Sequence, residues 1–364
     1  MENNIIEIFK EITSIPRCSN NHQPFIHYMK QLAQELNYLC LVDEYNNILC
    51  KKVNSNAKIA FQSHYDIVCL SDNCMPQIVQ NEDILTALDS TLGSDNGIGC
   101  SYMIALMCEK YDGEFLFTSD EEIGLIGANN LDLPLNAIYM LNLDSEKEGE
   151  ICIGCAGGID IFATNKNKKI IPNIDNLDLY EISISKLQGG HSGVDIDKNI
   201  PNAIKLIAKA IKECNGKLLD INGGERINSI PVNVKAIIAS ATTPIASHEN
   251  MLIEKIEAKS EHLNVFDDKV IDCICDFQNG VRAMNEELKV VQTSINIAII
   301  KTDVNGIKIE LSARSMDNED LKDIKFETIK ELRNYNFDVT TKGKYPAWKP
   351  DINEFTSKIL EVYK

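Results

Sequence analysis

The apolar positions of this chain change rhythm along its length. From residue 4 to residue 37 they recur at helical spacing, first Ile5, Ile6, Phe9 and Ile12, then Phe25, Ile26, Met29, Leu32 and Leu36. The segment Ser14-Ile-Pro-Arg-Cys-Ser19 interrupts them, so two packing helices are predicted. Residues 38–53 predict a hairpin that turns at Asn46-Asn47. Three short apolar runs follow, at 58–63, 114–118 and 137–143, and they read as buried strands. A glycine-rich turn before residues 98–107 opens an apolar helix. From about Ile159 the pattern alternates instead, after a hinge placed at Ala156-Gly157-Gly158. Residues 179–185 read as an edge-like strand, 202–212 as a helix and 229–240 as a further strand region. A second round repeats the order: strand 291–300, a turn at 303–306, strand 307–313 and helix 320–335. Two strand–helix rounds predict an inserted α+β lid with an internal pseudo-repeat.

The three buried strands share a second property: each ends in metal-ligand chemistry. Residues 114–118 run into Asp120, Glu121 and Glu122, residues 58–63 into His64 and Asp66, and residues 137–143 into Asp144. In open α/β sheets ligands collect beyond the carboxyl ends of the strands. Successive side chains of an extended chain point opposite ways, so one of Glu121 and Glu122 could face a cation and the other a water. His64 and Asp66 lie on one face, where the aspartate can fix the imidazole tautomer; it reads as an orienter rather than a ligand. A fourth acid, Asp95, sits in the turn Leu92-Gly-Ser-Asp-Asn-Gly-Ile-Gly99. That turn lacks the Lys-Ser/Thr ending of a phosphate loop and the glycine spacing of a dinucleotide site. One imidazole and several carboxylates make a hard, mixed nitrogen and oxygen site suited to zinc, manganese or cobalt. A shared aspartate could bridge two ions, and the chemistry predicted is metal-assisted hydrolysis. The bland alternative for Asp120-Glu121-Glu122 taken alone is a solvated acidic turn.

Five ordered segments, SHYDIV, TLGSDNGIG, TSDEEIGLIGA, LNLDSE and LQGGHSGVDI, resemble in order and spacing those of the aminoacyl-histidine dipeptidases, zinc peptidases related to carnosinase. The resemblance covers essentially the whole chain. It implies an α/β fold: a zinc-peptidase catalytic domain with a mostly parallel central sheet, plus an inserted α+β lid. The boundaries expected are 1–157 for the catalytic part, 158–340 for the lid and dimerisation domain, and 341–364 for the return. It implies that His64 and Asp144 hold the first zinc, that Asp95 bridges, that Glu122 binds the second zinc, that Glu121 is the general base and that Asp66 orients His64. It also implies that His191 reaches an active site, in relatives often that of the partner subunit. Asn228 and Arg314 resemble lid positions that contact substrate oxygens or a carboxylate, which the guanidinium fork suits.

Histidine flanked by glycines, as in Gln188-Gly-Gly-His-Ser-Gly193, is sterically free and exposed, so its imidazole could polarise a scissile carbonyl. At the other end the chain departs from the resemblance. Full relatives carry a further segment that supplies a histidine to the second zinc, whereas this chain stops at Lys364 and none of its six histidines, at 22, 27, 64, 191, 248 and 262, lies nearby. The expectation is a shortened chain with one zinc, reduced activity and some sheet edge left uncovered. His22 and His27 are expected on the surface of the N-terminal helices, and His248 and His262 on a charged lid helix.

Composition narrows the partners. A length of 364 residues predicts two domains, and 44% hydrophobic with 25% charged residues is ordinary for a globular chain. A formal charge of −18 argues against nucleic acid and anionic membranes. The start, Met1-Glu-Asn-Asn-Ile-Ile6, has no basic region and no long apolar run, which predicts neither secretion nor a membrane span and leaves the cytoplasm as the default. Twelve cysteines fit that compartment if reduced, and the close pairs, Cys152/Cys155 and Cys273/Cys275, read as buried apolar thiols. The partners expected are a small peptide substrate and a second copy of the chain, bound through the lid. Two other readings share the motifs: a deacylase of N-acyl amino acids, and an inactive metal-binding dimer.

Overall fold

A computed structural model describes residues 2–70, 75–145, 147–171, 176–257 and 262–363. The chain divides into two units, Met1–Cys152 with Asn353–Lys364, and Ile153–Ile352.

The first unit opens with helices α1 (Glu2–Thr13) and α2 (Gln23–Leu36), whose apolar faces are the ones read from the spacing. Strands β1 (Leu39–Val42) and β2 (Ile48–Lys51) form the predicted hairpin, followed by β3 (Ile59–His64). A small ribbon, β4 (Gln77–Asn81) with β5 (Ile84–Leu88), was not anticipated; β4 is mostly polar, and β5 is a five-residue run. Helix α3 (Ser94–Cys108), strand β6 (Glu114–Thr118), the single turn α4 (Ile126–Asn129) and β7 (Tyr139–Asn142) complete the element order. The sheet order is β1-β2-β6-β3-β7. Its strands β6, β3 and β7 run parallel, and β2 lies antiparallel against β6. Every residue of β6 is buried, as a central strand covered on both faces requires. The core is aromatic: Phe25 stacks on Tyr65 at 4.7 Å between centroids, and Phe61 on Phe115 at 5.6 Å.

The second unit begins with β8 (Gly157–Asn165), β9 (Lys168–Ile171), β10 (Asp178–Ile184) and β11 (Gly190–His191). Helix α5 (Ala203–Glu213) follows, started by the Asn202 side chain, which accepts from the N–H groups of Ile204 and Lys205. Then come β12 (Lys217–Gly223), β13 (Ser229–Ile230), β14 (Val234–Ser240), β15 (Met251–Ile256), β16 (Leu263–Phe266) and α6 (Lys269–Asp276). The last elements are β17 (Gly280–Asn285), β18 (Val290–Asp303), β19 (Gly306–Ser315), α7 (Asn318–Asn334) and β20 (Asp338–Tyr345). One antiparallel sheet runs β15-β10-β14-β12-β18-β19-β8-β20, with β17 added on β18. Helix α8 (Glu354–Tyr363) belongs again to the first unit, where Phe355 stacks on Tyr139 at 4.2 Å.

Several expectations need correction. The strand β10 is not an edge: it lies between β14 and β15. Alternation reports one solvated face and says nothing of neighbours. The edge is β15, within the stretch read as a charged helix between His248 and His262; its exposed Glu254 and Lys255 are residues that an edge strand tolerates. Gly157 and Gly158 are not a hinge but the first residues of β8. His22 is not a surface residue, because its ring sits between Tyr65 and Asp120. The cysteines also depart from a uniformly reduced, buried set: Cys18 and Cys69 form a disulfide with Cα atoms 5.7 Å apart, and Cys152 and Cys155 are exposed.

Candidate active site

Because β3, β6 and β7 run parallel, their carboxyl ends lie on the same side of the sheet. His64 is the last residue of β3, Glu121 and Glu122 follow β6, and Asp144 follows β7. Asp95 enters from the first turn of α3. Helix α3 can approach because residue 99 is glycine: a Cβ there would meet Asn96 Oδ1 at 2.3 Å, Ser63 Oγ at 2.7 Å and the Leu143 carbonyl at 2.9 Å. The result is a buried imidazole facing carboxylates. His64 Nε2 lies 3.0 Å from Asp95 Oδ1 and 3.7 Å from Asp144 Oδ1. Two groups have ligand atoms within 4.8 Å of one another, His64 with Asp95 and Asp144, and His64 with Glu121 and Glu122. Both glutamates therefore approach the same histidine, against the alternation argued from an extended chain. The reason is local: residues 119–127 form a tight turn, with Leu125 N–H bonded to the Glu121 carbonyl and Gly127 N–H to that of Ser119.

The other side of His64 is equally determined. Its Nδ1 lies 3.0 Å from the Asp66 carbonyl oxygen and 3.5 Å from Asp66 Oδ1. Both are acceptors, so Nδ1 carries the proton and Nε2 is aimed at the acids. The fully buried Asp66 carboxylate also accepts from Ser19 Oγ at 2.8 Å, Glu121 N–H at 3.0 Å and Glu122 N–H at 3.4 Å. One side chain thus ties the imidazole to the backbone of both glutamates.

Charge follows from this packing. Burial pulls the His64 imidazole down, but Asp66, Asp144 and Asp95 outweigh it and hold its pKa up to about 9. Burial pushes Asp66 up, but hydrogen bonds from His64, Ser19 and Glu121 N–H leave it below its ordinary value. Glu121 and Glu122 are both raised, first by burial and then by neighbouring carboxylates, against the pull of His64. Carboxylates that raise one another around a histidine nitrogen fit a divalent cation, which would relieve the repulsion.

Reading the sequence missed the residues that support this site. Arg17, 1% exposed, donates to the Tyr65 carbonyl at 2.8 Å and the Gly93 carbonyl at 2.7 Å, joining the loop after β3 to the turn that carries Asp95. Asn47, in the hairpin turn, accepts from Ser119 N–H at 3.2 Å and donates to the Gly127 carbonyl at 2.9 Å. His22 Nε2 meets Asp120 Oδ2 at 3.1 Å, and Asp120 Oδ1 accepts from Asn20 N–H. No sequence signal marked them, because each lies in a polar stretch that reads as a loop or turn: Arg17 and His22 within residues 14–23, and Asn47 after Asp43-Glu-Tyr-Asn46.

The second unit brings together the other three candidates. Ser192 N–H donates to the Asn228 carbonyl at 2.9 Å, and His191 is the register partner of Ser229. Gly193 packs against Arg314. Nδ1 of His191 accepts from Gly193 and Val194 N–H groups, each at 3.2 Å, so its proton resides on Nε2, which is left as a donor. Burial and then Arg314 lower its pKa, which favours that neutral form.

No family model matches the chain. It is 29% identical to the cytosol non-specific dipeptidase of Escherichia coli, over 95% of this chain and 81% of that protein. Its fold matches the crystal structure of aminoacylhistidine dipeptidase from Vibrio alginolyticus with a TM-score of 0.83 and 27% identity, covering 97% of this chain and 81% of that one. A tripeptidase from Staphylococcus aureus, 17% identical with a TM-score of 0.54, shares the fold over 100% of this chain and 81% of its own. No helix among the described residues is long and apolar enough to cross a membrane. With this similarity along nearly its whole length and a histidine–carboxylate centre at the strand ends, the chain is similar to dipeptidases, among them an aminoacylhistidine dipeptidase, and is a hydrolase of the metallo-dipeptidase kind.

Proposed function

We propose that the chain hydrolyses dipeptides of the Xaa-His type in the cytoplasm, with Met1–Cys152 and its C-terminal helix as the catalytic unit and Ile153–Ile352 as a lid through which two copies associate. His64, Asp95 and Asp144 would hold one zinc ion, and Glu122 would offer a further carboxylate. A divalent cation supplies Lewis acidity there, lowering the pKa of a bound water and polarising the scissile carbonyl.

The protein's own groups do the rest. Asp66 fixes the His64 tautomer and the backbone of both glutamates. Glu121, half-buried and with a raised pKa, takes the proton of the attacking water and passes it to the leaving amine nitrogen. His191 donates its Nε2 proton to the developing oxyanion, Asn228 contacts substrate oxygens, and Arg314 takes the C-terminal carboxylate.

The observation that carries this reading is the convergence of His64 Nε2 on Asp95 at 3.0 Å with Glu121 tied to the same Asp66. The test is hydrolysis of a panel of Xaa-His dipeptides by protein stripped with chelator and reloaded with zinc, manganese or cobalt, beside Glu121→Gln. The variant should keep its metal and lose roughly a thousandfold in kcat. Activity that survives both chelation and Glu121→Gln would sink the reading, and a preference for N-acyl amino acids would redirect it.

A further inference from the structure

Three residues of the second unit stand in one row across neighbouring strands. Arg314 of β19 is the register partner of Gly158 of β8, and Gly158 is the partner of Tyr345 of β20. A side chain on the middle strand would separate the outer two. Here the middle residue has none: a Cβ on Gly158 would lie 2.4 Å from Tyr345 Oη and 2.5 Å from its Cζ, so the phenol occupies that space. Its hydroxyl accepts from Arg314 Nη1 at 3.0 Å. A register shift between Lys342 and Tyr345 delivers the tyrosine opposite the glycine. The turn beyond is pinned by Asn318, which accepts from Ala347 N–H at 2.9 Å and donates to the Ala347 carbonyl at 3.3 Å.

The other boundary of the guanidinium is Gly193, two residues after His191. A Cβ there would sit 3.1 Å from Cζ, Nε and Nη1 of Arg314, so the planar group lies against backbone. Among the described residues Tyr345 is its one hydrogen-bond partner, and the buried Nε has none. A guanidinium held at one corner, with its remaining donors unengaged, is a fork set at a fixed angle for an incoming anion.

We infer that Tyr345 is a positioning residue: its hydroxyl, carried across Gly158, sets the angle of the Arg314 fork and with it the preference for a substrate bearing a free carboxylate. The inference rests on the reading of Arg314 as the carboxylate contact. It concerns orientation alone and adds no chemical step.

Tyr345→Phe removes one hydroxyl and leaves the ring over Gly158. The probe is an unreactive dipeptide analogue with a reduced peptide bond, as the free acid and as the C-terminal amide, titrated calorimetrically into zinc-loaded full-length protein. Wild type should prefer the acid, Arg314→Gln should abolish the preference, and Tyr345→Phe should cut it roughly tenfold, the lower end of what one hydrogen bond to a charged group contributes. Binding of the amide should not change. In turnover the loss should appear as a raised KM with kcat retained, and Tyr345→Phe should add nothing in the Arg314→Gln background. If Arg314→Gln abolishes the preference while Tyr345→Phe keeps it whole, the inference is overturned and the reading of Arg314 stands. If Arg314→Gln keeps the preference, or wild type shows none, that reading falls and the inference with it.

Discussion

Replacing Asp66 with asparagine should weaken metal binding more than it weakens the fold, and the structure gives the size of the effect. The carboxylate accepts three hydrogen bonds, from Ser19 Oγ and the N–H groups of Glu121 and Glu122, and stands 3.5 Å from His64 Nδ1. An amide of the same shape has one oxygen. Its NH2 group must face either the Glu121 N–H or the pair formed by Ser19 and Glu122 N–H, so at least one bond becomes a repulsion. Removal of the charge also weakens the hold on the His64 tautomer. Hydrogen bonds to a charged group contribute about 1.5–3 kcal/mol, and loss of a carboxylate behind a metal-binding histidine lowers metal affinity about 10–100-fold. The assay is calorimetric titration of zinc into metal-stripped wild type, Asp66→Asn and Ser19→Ala, with thermal unfolding of each metal-free protein alongside. Ser19→Ala, which removes one of the three bonds, should cost about fivefold in affinity. A variant whose unfolding temperature drops while its zinc affinity stays within about twofold of wild type would refute the argument, because Asp66 would then support the fold without shaping the metal site.

Two further outcomes follow from the same geometry. Asn47→Ala should lower unfolding stability by about 3 kcal/mol in urea titrations, since it leaves the Ser119 N–H and the Gly127 carbonyl unpaired beneath the acidic turn. Metal-stripped wild type should lose stability at alkaline pH. The folded His64 pKa, held up to about 9, exceeds the unfolded value near 6.5, so its contribution is complete below about pH 6.5 and disappears as pH rises through about 9. His64→Gln should flatten that part of the stability-against-pH curve measured by chemical denaturation; an identical slope in the variant would exclude His64 as the source.

Much of the catalytic unit is legible in the sequence. The runs ending at His64, Thr118 and Asn142 are strands with little polar interruption, but only the first two are largely buried; β7, expected buried, is the end strand of its sheet and leaves Met140 and Asn142 exposed. The ligand candidates His64, Glu122 and Asp144 stand out because each falls at or just past the end of such a run, whereas Asp95 stands in the glycine-rich turn before α3. What stays hidden depends on contacts between distant segments. Arg17 looks like any loop arginine until it is seen spanning Tyr65 and Gly93, 48 and 76 residues away. Asn47 reads as a hairpin residue, yet its side chain reaches Gly127. Gly158 reads as a hinge because glycine signals freedom of the backbone, whereas here it signals the absence of a side chain beneath Tyr345. The position of β10 inside the sheet is equally out of reach, since alternation within one strand carries no information about which strands flank it.

The charge at the centre links these supports to function. Four carboxylates, from Asp95, Glu121, Glu122 and Asp144, gather around one imidazole; burial first and then their mutual repulsion raise Glu121 and Glu122. In the metal-free protein the second proton on His64 offsets part of that repulsion, which is why its pKa climbs despite burial. A divalent cation held by these residues would carry greater charge and would have to displace that proton, so affinity should rise with pH until His64 is neutral. The scaffold keeps the exchange local. Asp66 holds the Nδ1 side whichever species occupies the Nε2 side, and Arg17 fixes the two backbone segments that frame it. Repulsion among the acids therefore cannot relax by moving the loops apart. It is retained as attraction for a cation, and a chain that let those loops separate would be more comfortable without metal and bind it less well.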